Sequence, residues 1–174
     1  MIKGNNVLFL LVVVTMFFSC SKEIDHISNP APNNADMAPT NSNINRQVLL
    51  NLVNSYRSSG CNCGSEYYPP VAEVRWNNTL EHAAKAHTDD MNNNNYFSHT
   101  GRDGSTPGDR ISRFNYNWSA YGENIAKGYL TEQSVIEGWI NSPGHCANIM
   151  SGNFREMGIA RTGNYWAQEF GTQR

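Results

Sequence analysis

A chain of 174 residues with 13 Lys and Arg against 15 Asp and Glu carries a formal net charge of −2, and no basic stripe offers a footprint for nucleic acid. Its length suits one domain of ordinary size with an appendage, and no internal repeat or second domain boundary interrupts it.

The appendage comes first in the chain. Lys3 supplies a positive start, and residues 7–18 are apolar apart from Thr15. This run is shorter than the roughly 20 apolar residues that span a bilayer, and it has the length of a secretory signal core. It ends in Phe17-Phe18-Ser19-Cys20, which resembles a lipobox with Phe where Leu is usual. Residues 1–19 are therefore expected to be a lipoprotein-type signal peptide, and Cys20 the lipidated new N-terminus. The segment that follows, to residue 43, is dense in Asn, Pro, Ser and Ala and poor in large apolar residues. It cannot bury enough surface to offset its ordering entropy, so residues 20–43 are expected to be a lipidated, disordered tether. The expected location is outside the inner membrane, on an outer-membrane anchor, periplasmic or surface-exposed. The lipid is then the chain's only membrane contact.

The domain is expected over residues 44–174. Val48, Leu49, Leu52, Val53 and Tyr56 recur at helical spacing over 45–58, and Gly60 ends the run. Residues 61–70 read as a loop. Residues 74–76 form a short apolar stretch that leads into a second helix over about 79–92, capped by Asn78. Leu80, Ala84, His87 and Met91 share one face of it, and the Asn run at 92–95 closes it. Residues 96–117 read mostly as loop. Thr131 caps a third helix containing Val135, Ile136, Trp139 and Ile140, and Ser142-Pro143 starts a fourth. Met157, Ile159 and Arg161, then Tyr165, Ala167 and Glu169, alternate about Gly163-Asn164 as in a β-hairpin. Helices combined with antiparallel strands make a layered α+β domain.

Export implies an oxidising compartment, where disulfides persist. Beyond Cys20 the cysteines are Cys61, Cys63 and Cys146, and Cys61-Asn62-Cys63 is a CxC, not the CxxC of a redox or zinc-ribbon site. The expectation is a disulfide from Cys146 to Cys61 or Cys63, with one thiol left over. The alternative is a metal cluster built from the three cysteines and His145, which lacks the usual structural-zinc spacing.

Four segments carry a resemblance. They are Tyr96-Phe97-Ser98-His99, Gly122-Glu123-Asn124-Ile125-Ala126, Trp139-Ile140-Asn141-Ser142-Pro143-Gly144-His145 and Trp166-Ala167-Gln168-Glu169-Phe170-Gly171. In this order they resemble the CAP superfamily of cysteine-rich secretory, antigen 5 and pathogenesis-related proteins, in its bacterial SCP-like branch. Asp103-Gly104 and Asp109-Arg110 add to it. The resemblance implies a three-layer α/β/α sandwich with a central antiparallel sheet. It also implies a cleft lined by His99, Glu123 and His145, corresponding to two family His and one Glu. The second family Glu position is Ser142 here, so the family's four-residue set is incomplete. Some relatives hold a divalent metal in this cleft. On that pattern His99 and His145 are the metal candidates, with zinc or another divalent ion as the cofactor.

Each candidate also has a plainer role. His145 falls at the third position of a helix, where the dipole disfavours imidazolium. A neutral ring suits metal binding or proton acceptance, and equally suits bracing the cleft. Glu123 is the catalytic candidate as a general base, or else an acceptor of backbone bonds that fixes its loop. His87 lies on an apolar helix face and reads as a core residue. Trp139 and Trp166 read as core, and Asp89-Asp90 lacks calcium-loop spacing. The expected function is a cell-surface binding or interaction module for a lipid, peptide or envelope component, acting as a monomer. The alternative is a metal-assisted, peptidase-like hydrolase, for which no Ser or Cys nucleophile motif is present.

Overall fold

The computed structural model describes residues 43–174. The expected signal peptide, Cys20 and all but the last residue of the tether lie outside the described residues. Helix α1 (Arg46–Ser59) starts where the Asn45 side chain accepts from the Val48 amide and stops at Gly60, whose φ of 71° suits only glycine well. Strands β1 (Cys61–Cys63) and β2 (Glu66–Tyr68) pair as a small antiparallel hairpin where a loop was expected. Strand β3 (Arg75–Trp76) precedes α2 (Asn78–Asn94). The α2 cap is Asn77 and not Asn78: its side-chain oxygen takes the amides of Thr79 and Leu80, and Asn95 closes the helix in the left-handed conformation.

Helix α3 (Pro107–Arg113) lies inside the expected loop. Thr106 and Asp109 form a reciprocal capping box around Pro107 at the first turn, a signal legible as Thr-Pro-x-Asp. Strand β4 (Trp118–Lys127) contains Glu123, so its carboxyl leaves a strand and not the loop expected. Helices α4 (Glu132–Ile140) and α5 (Pro143–Ile149) begin at Thr131 and Ser142 as expected. Ser142 makes no side-chain cap bond, because its hydroxyl is used elsewhere. Strands β5 (Glu156–Thr162) and β6 (Tyr165–Gln173) form the expected hairpin about Gly163-Asn164.

The main sheet runs β3-β5-β6-β4. It is antiparallel throughout except at β3, which joins β5 in parallel over two residues. Side chains alternate between its faces. Met157, Ile159, Trp166 and Phe170 enter one core with Leu49, Leu52 and Val53 of α1 and Val135, Ile136 and Trp139 of α4. The opposite face meets α2: Ala84 and Met91 pack on Ile125, Ala160, Tyr165 and Ala167. Leu80 and Ala83 pack with Ile111 of α3 and with Tyr116. The domain is thus an α/β/α sandwich. Gly158 allows its closest approach, since a Cβ there would overlap the Leu80 and Glu81 backbone.

Two polar devices tie the outer layer down. Arg57 is fully buried and donates to the carbonyls of Ala72, Ile149, Ser151 and Phe154. Burial lowers its pKa to about 10. A Cys63–Cys146 disulfide joins the β1–β2 hairpin to α5, which resolves the expected choice of partner in favour of Cys63.

Candidate functional site

Glu123 sits in the middle of β4, directly across from Glu169 of β6. Two residues along, Ile125 and Ala167 form the next pair of that face and pack against α2. Both carboxyls therefore point toward the α2 and α3 layer. The Glu123 oxygens are both in use: Oε1 accepts from His99 Nδ1 at 2.6 Å, and Oε2 accepts from Arg110 Nη2 at 2.5 Å. His87 Nε2 lies 3.8 Å from Oε2. Burial by itself would raise the Glu123 pKa. The His99 hydrogen bond and the Arg110 charge override it and hold the carboxyl below its ordinary value.

Glu169 experiences the reverse. It is fully buried, and its proton has the Glu123 carboxylate as hydrogen-bond partner. Burial first, and then the neighbouring Glu123 charge, push its pKa well above the carboxylate range. The pair is therefore one carboxylate and one carboxylic acid beside a single guanidinium.

His87 belongs to the core, as its helix face indicated, and it also floors the site. Its Nε2–H donates to the Ser98 carbonyl at 2.8 Å, while Nδ1 is unpartnered among the described residues. Burial lowers its pKa despite the nearby Glu123, so the ring is neutral.

His99 stands on the loop after α2, with about half its side chain exposed. The loop is fastened to the helix end by Tyr96 and the Arg102 amide on Asp90, and by the Arg102 guanidinium on Asn94. Burial and the Asp90 contact raise the Tyr96 phenol to about 12. Asp89 is spent on Lys85 and Thr162, so Asp89-Asp90 acts as a fastening and not as a calcium loop.

His145 is the third residue of α5, where sequence placed it. Its Nδ1 meets Ser142 Oγ at 2.9 Å, so the serine that starts the helix holds this ring. The His145 pKa is lowered, the direction expected from the helix terminus, but through burial and then the nearby His99 charge. The backbone below is braced by Asn124, which donates to the His145 carbonyl at 3.2 Å and to Gln168 at 3.0 Å. Asn148 reaches the Asn124 side chain and the Glu123 carbonyl.

With both Nδ1 atoms engaged, the Nε2 atoms of His99 and His145 are what the site offers a ligand. A carboxylate on one imidazole and a hydroxyl on the other are partners of the kind that metal-binding histidines usually carry. They fall short of the three protein ligands of most catalytic zinc sites, and the Glu123 oxygens are committed. Among the described residues, the group whose ligand atoms all lie within 4.8 Å of one another is Cys61, Cys63 and Cys146. The disulfide takes two of those three sulfurs.

Sequence reasoning overlooked Arg110 and Glu169 as site residues, and it gave His87 no contact with the site. Arg110 was hidden with α3. Glu169 had a signal: it alternates with Tyr165 and Ala167, so a strand with that face buried must bury the carboxyl too.

A family model described as "CAP: Cysteine-rich secretory protein family" matches residues 50–170. The uncharacterized protein YkwD of Bacillus subtilis (strain 168) is 30% identical over 140 residues, 79% of this chain and 51% of that protein. An extracellular protein containing a SCP domain from Bacillus anthracis str. Ames superposes with a TM-score of 0.67 at 28% identity, over 84% of this chain and 45% of that one. An outer surface protein from Borrelia burgdorferi superposes with a TM-score of 0.62 at 22% identity, over 74% of this chain and 92% of that one, which shows the shared fold. The chain spans about half the length of the two Bacillus proteins. The match extends over most of the chain and includes every residue of the site, and the chain belongs to the cysteine-rich secretory protein (CAP) family.

Proposed function

We propose that this is an exported, lipid-anchored CAP-domain protein whose His99–Glu123–His145 site is a cell-surface binding module for a lipid, peptide or envelope component. The observation that carries this reading is the commitment of both Glu123 oxygens to His99 and Arg110. A carboxylate so held is a weak proton acceptor and a good clamp. It presents His99 outward, next to the neutral His145 ring. Export is supported by the Cys63–Cys146 disulfide and by the extracellular description of the Bacillus anthracis relative. Among the described residues no helix is long and apolar enough to cross a membrane. The signal peptide and Cys20 supply the anchor in this reading, and the domain acts as a monomer on its tether.

The test is a thermal-shift screen of the purified protein against lipids, peptides and envelope fragments, repeated on the His99→Ala/His145→Ala double variant. A ligand that raises the melting temperature of the wild type and not of the variant supports the reading. Silence across all three classes counts against it.

One observation favours a second reading. A buried carboxylate on His99 Nδ1, which leaves Nε2 for a ligand, is the outer-shell partner that metal-binding histidines usually carry. In a metal-assisted hydrolase His99 and His145 would hold a zinc or other divalent ion, which would supply Lewis acidity and an activated water. Elemental analysis and hydrolysis assays on the same double variant decide. Unchanged metal content and unchanged hydrolysis end this reading.

A further inference from the structure

Cys61 and Cys63 lie two residues apart on one strand, so both side chains leave the same face of β1 and both are buried. They face one partner, Cys146 of α5. Cys63 is bonded to it, and the Cys61 sulfur stands 3.7 Å from the Cys146 sulfur as a thiol. All three sulfurs lie within 4.8 Å of one another. A single structural disulfide needs no second cysteine at this distance.

We propose that the three cysteines form an intramolecular thiol–disulfide exchange site, in which the bond to Cys146 migrates between Cys63 and Cys61. The Cys61 thiolate attacks Cys146 Sγ, forming a Cys61–Cys146 bond. The Cys63–Cys146 bond breaks, and its electron pair leaves on Cys63 Sγ, which takes up the proton that Cys61 released. Nothing is oxidised or reduced overall, and no outside reagent is consumed.

The consequence is a latch with two positions. A two-stranded hairpin is marginal by itself, and β1–β2 is tied covalently to α5. Its turn already presses on the helix start, where a Cβ on Gly64 would lie 3.0 Å from Pro143 Cγ. Moving the tie from Cys63 to Cys61 places the covalent link two residues further from that turn, and so loosens the turn's hold on the start of the helix that carries His145. The exchange does not depend on what the histidine site binds.

The full chain, purified without reductant, is incubated anaerobically at pH 8, acid-quenched at intervals, alkylated and sequenced by tandem mass spectrometry. Cleavage between Cys61 and Cys63 in the fragment spectra reports which of them carries the label. The expected result is label divided between the two positions. Label on Cys61 alone at every time overturns the proposal, and so does label on all three cysteines. In parallel, Cys63→Ala is expected to contain a Cys61–Cys146 bond with neither of those sulfurs alkylatable, like the Cys61→Ala control with its Cys63–Cys146 bond. Label on both Cys61 and Cys146 in a folded Cys63→Ala protein overturns it. If that variant fails to fold, the wild-type time course decides alone.

Discussion

On the side of the sheet that faces α1 and α4, Met157, Ile159, Trp166 and Phe170 meet apolar side chains. The one fully buried cation of that layer, Arg57, finds carbonyl oxygens for its guanidinium. On the side that faces α2 and α3, the same sheet presents Glu123 and Glu169 beside His87 and Arg110. There His87 Nδ1 and Arg110 Nε lack partners among the described residues, and the buried Glu169 has only the Glu123 carboxylate to share its proton with. The first side is satisfied and holds the fold together. The second retains unmet polarity next to the only half-exposed member of its cluster, His99. Buried polar groups left unmatched cost free energy, so their concentration on one face marks where the sequence serves something other than stability.

The contrast can be broken most forcefully from the apolar side. Trp166→Ala removes a fully buried ring and is expected to cost about 3–5 kcal/mol in urea denaturation, equally at pH 5 and pH 8. A strong pH dependence of that loss would mean the two faces are not separate.

Arg110→Met tests the polar side. It strands the Glu123 carboxylate and is expected to cost about 3 kcal/mol at neutral pH. The Glu123 pKa is depressed in the folded state, so its stabilising contribution is present above the ordinary carboxylate range and is lost as pH falls through the lowered value. The penalty of Arg110→Met must therefore shrink toward acid pH. A constant penalty would assign Arg110 to packing.

Glu169→Gln sharpens the comparison with a smaller effect. The Glu169 pKa is raised in the folded state, so the wild type loses stability as pH climbs from the ordinary carboxylate value toward the folded one. The amide variant has no such slope. Melting curves of the two proteins should coincide at acid pH and separate as pH rises, with the variant higher. Parallel curves would show that Glu169 is ionised in the fold.

Thr106→Ala is the mildest. Loss of the α3 capping box is expected to cost about 1 kcal/mol. It should also loosen Arg110, one helical turn on, which would appear as a small upward drift of the Glu123 titration in NMR.

The satisfied side was largely legible in the sequence. The α1 and α4 periods, the Thr131 cap, Pro143 at the first position of α5 and the β5–β6 turn all follow from local rules that packing did not override. The polar side was not. β4 mixes Gly122, Glu123 and Asn124 at buried or half-buried positions, which erases the apolar alternation that announces a strand. His99 and His145 were found through their motif context, and His99 does contact Glu123. Arg110 became visible only when α3 folded back on β4. The alternation of Glu169 with Tyr165 and Ala167 marked it as a buried carboxyl, but its place opposite Glu123 needed the cross-strand register.

Gly158 has a mechanical consequence for recognition. Because main-chain atoms of α2 rest against the sheet there, no side-chain rearrangement can widen that gap or let the helix slide. His87 and Glu123 are thus fixtures on a stationary wall. His99 hangs on a surface loop fastened by Asp90 and Asn94. A guest that reshapes this site does so by moving one jaw, and amide exchange should quicken or slow in the 96–102 loop while α2 stays silent.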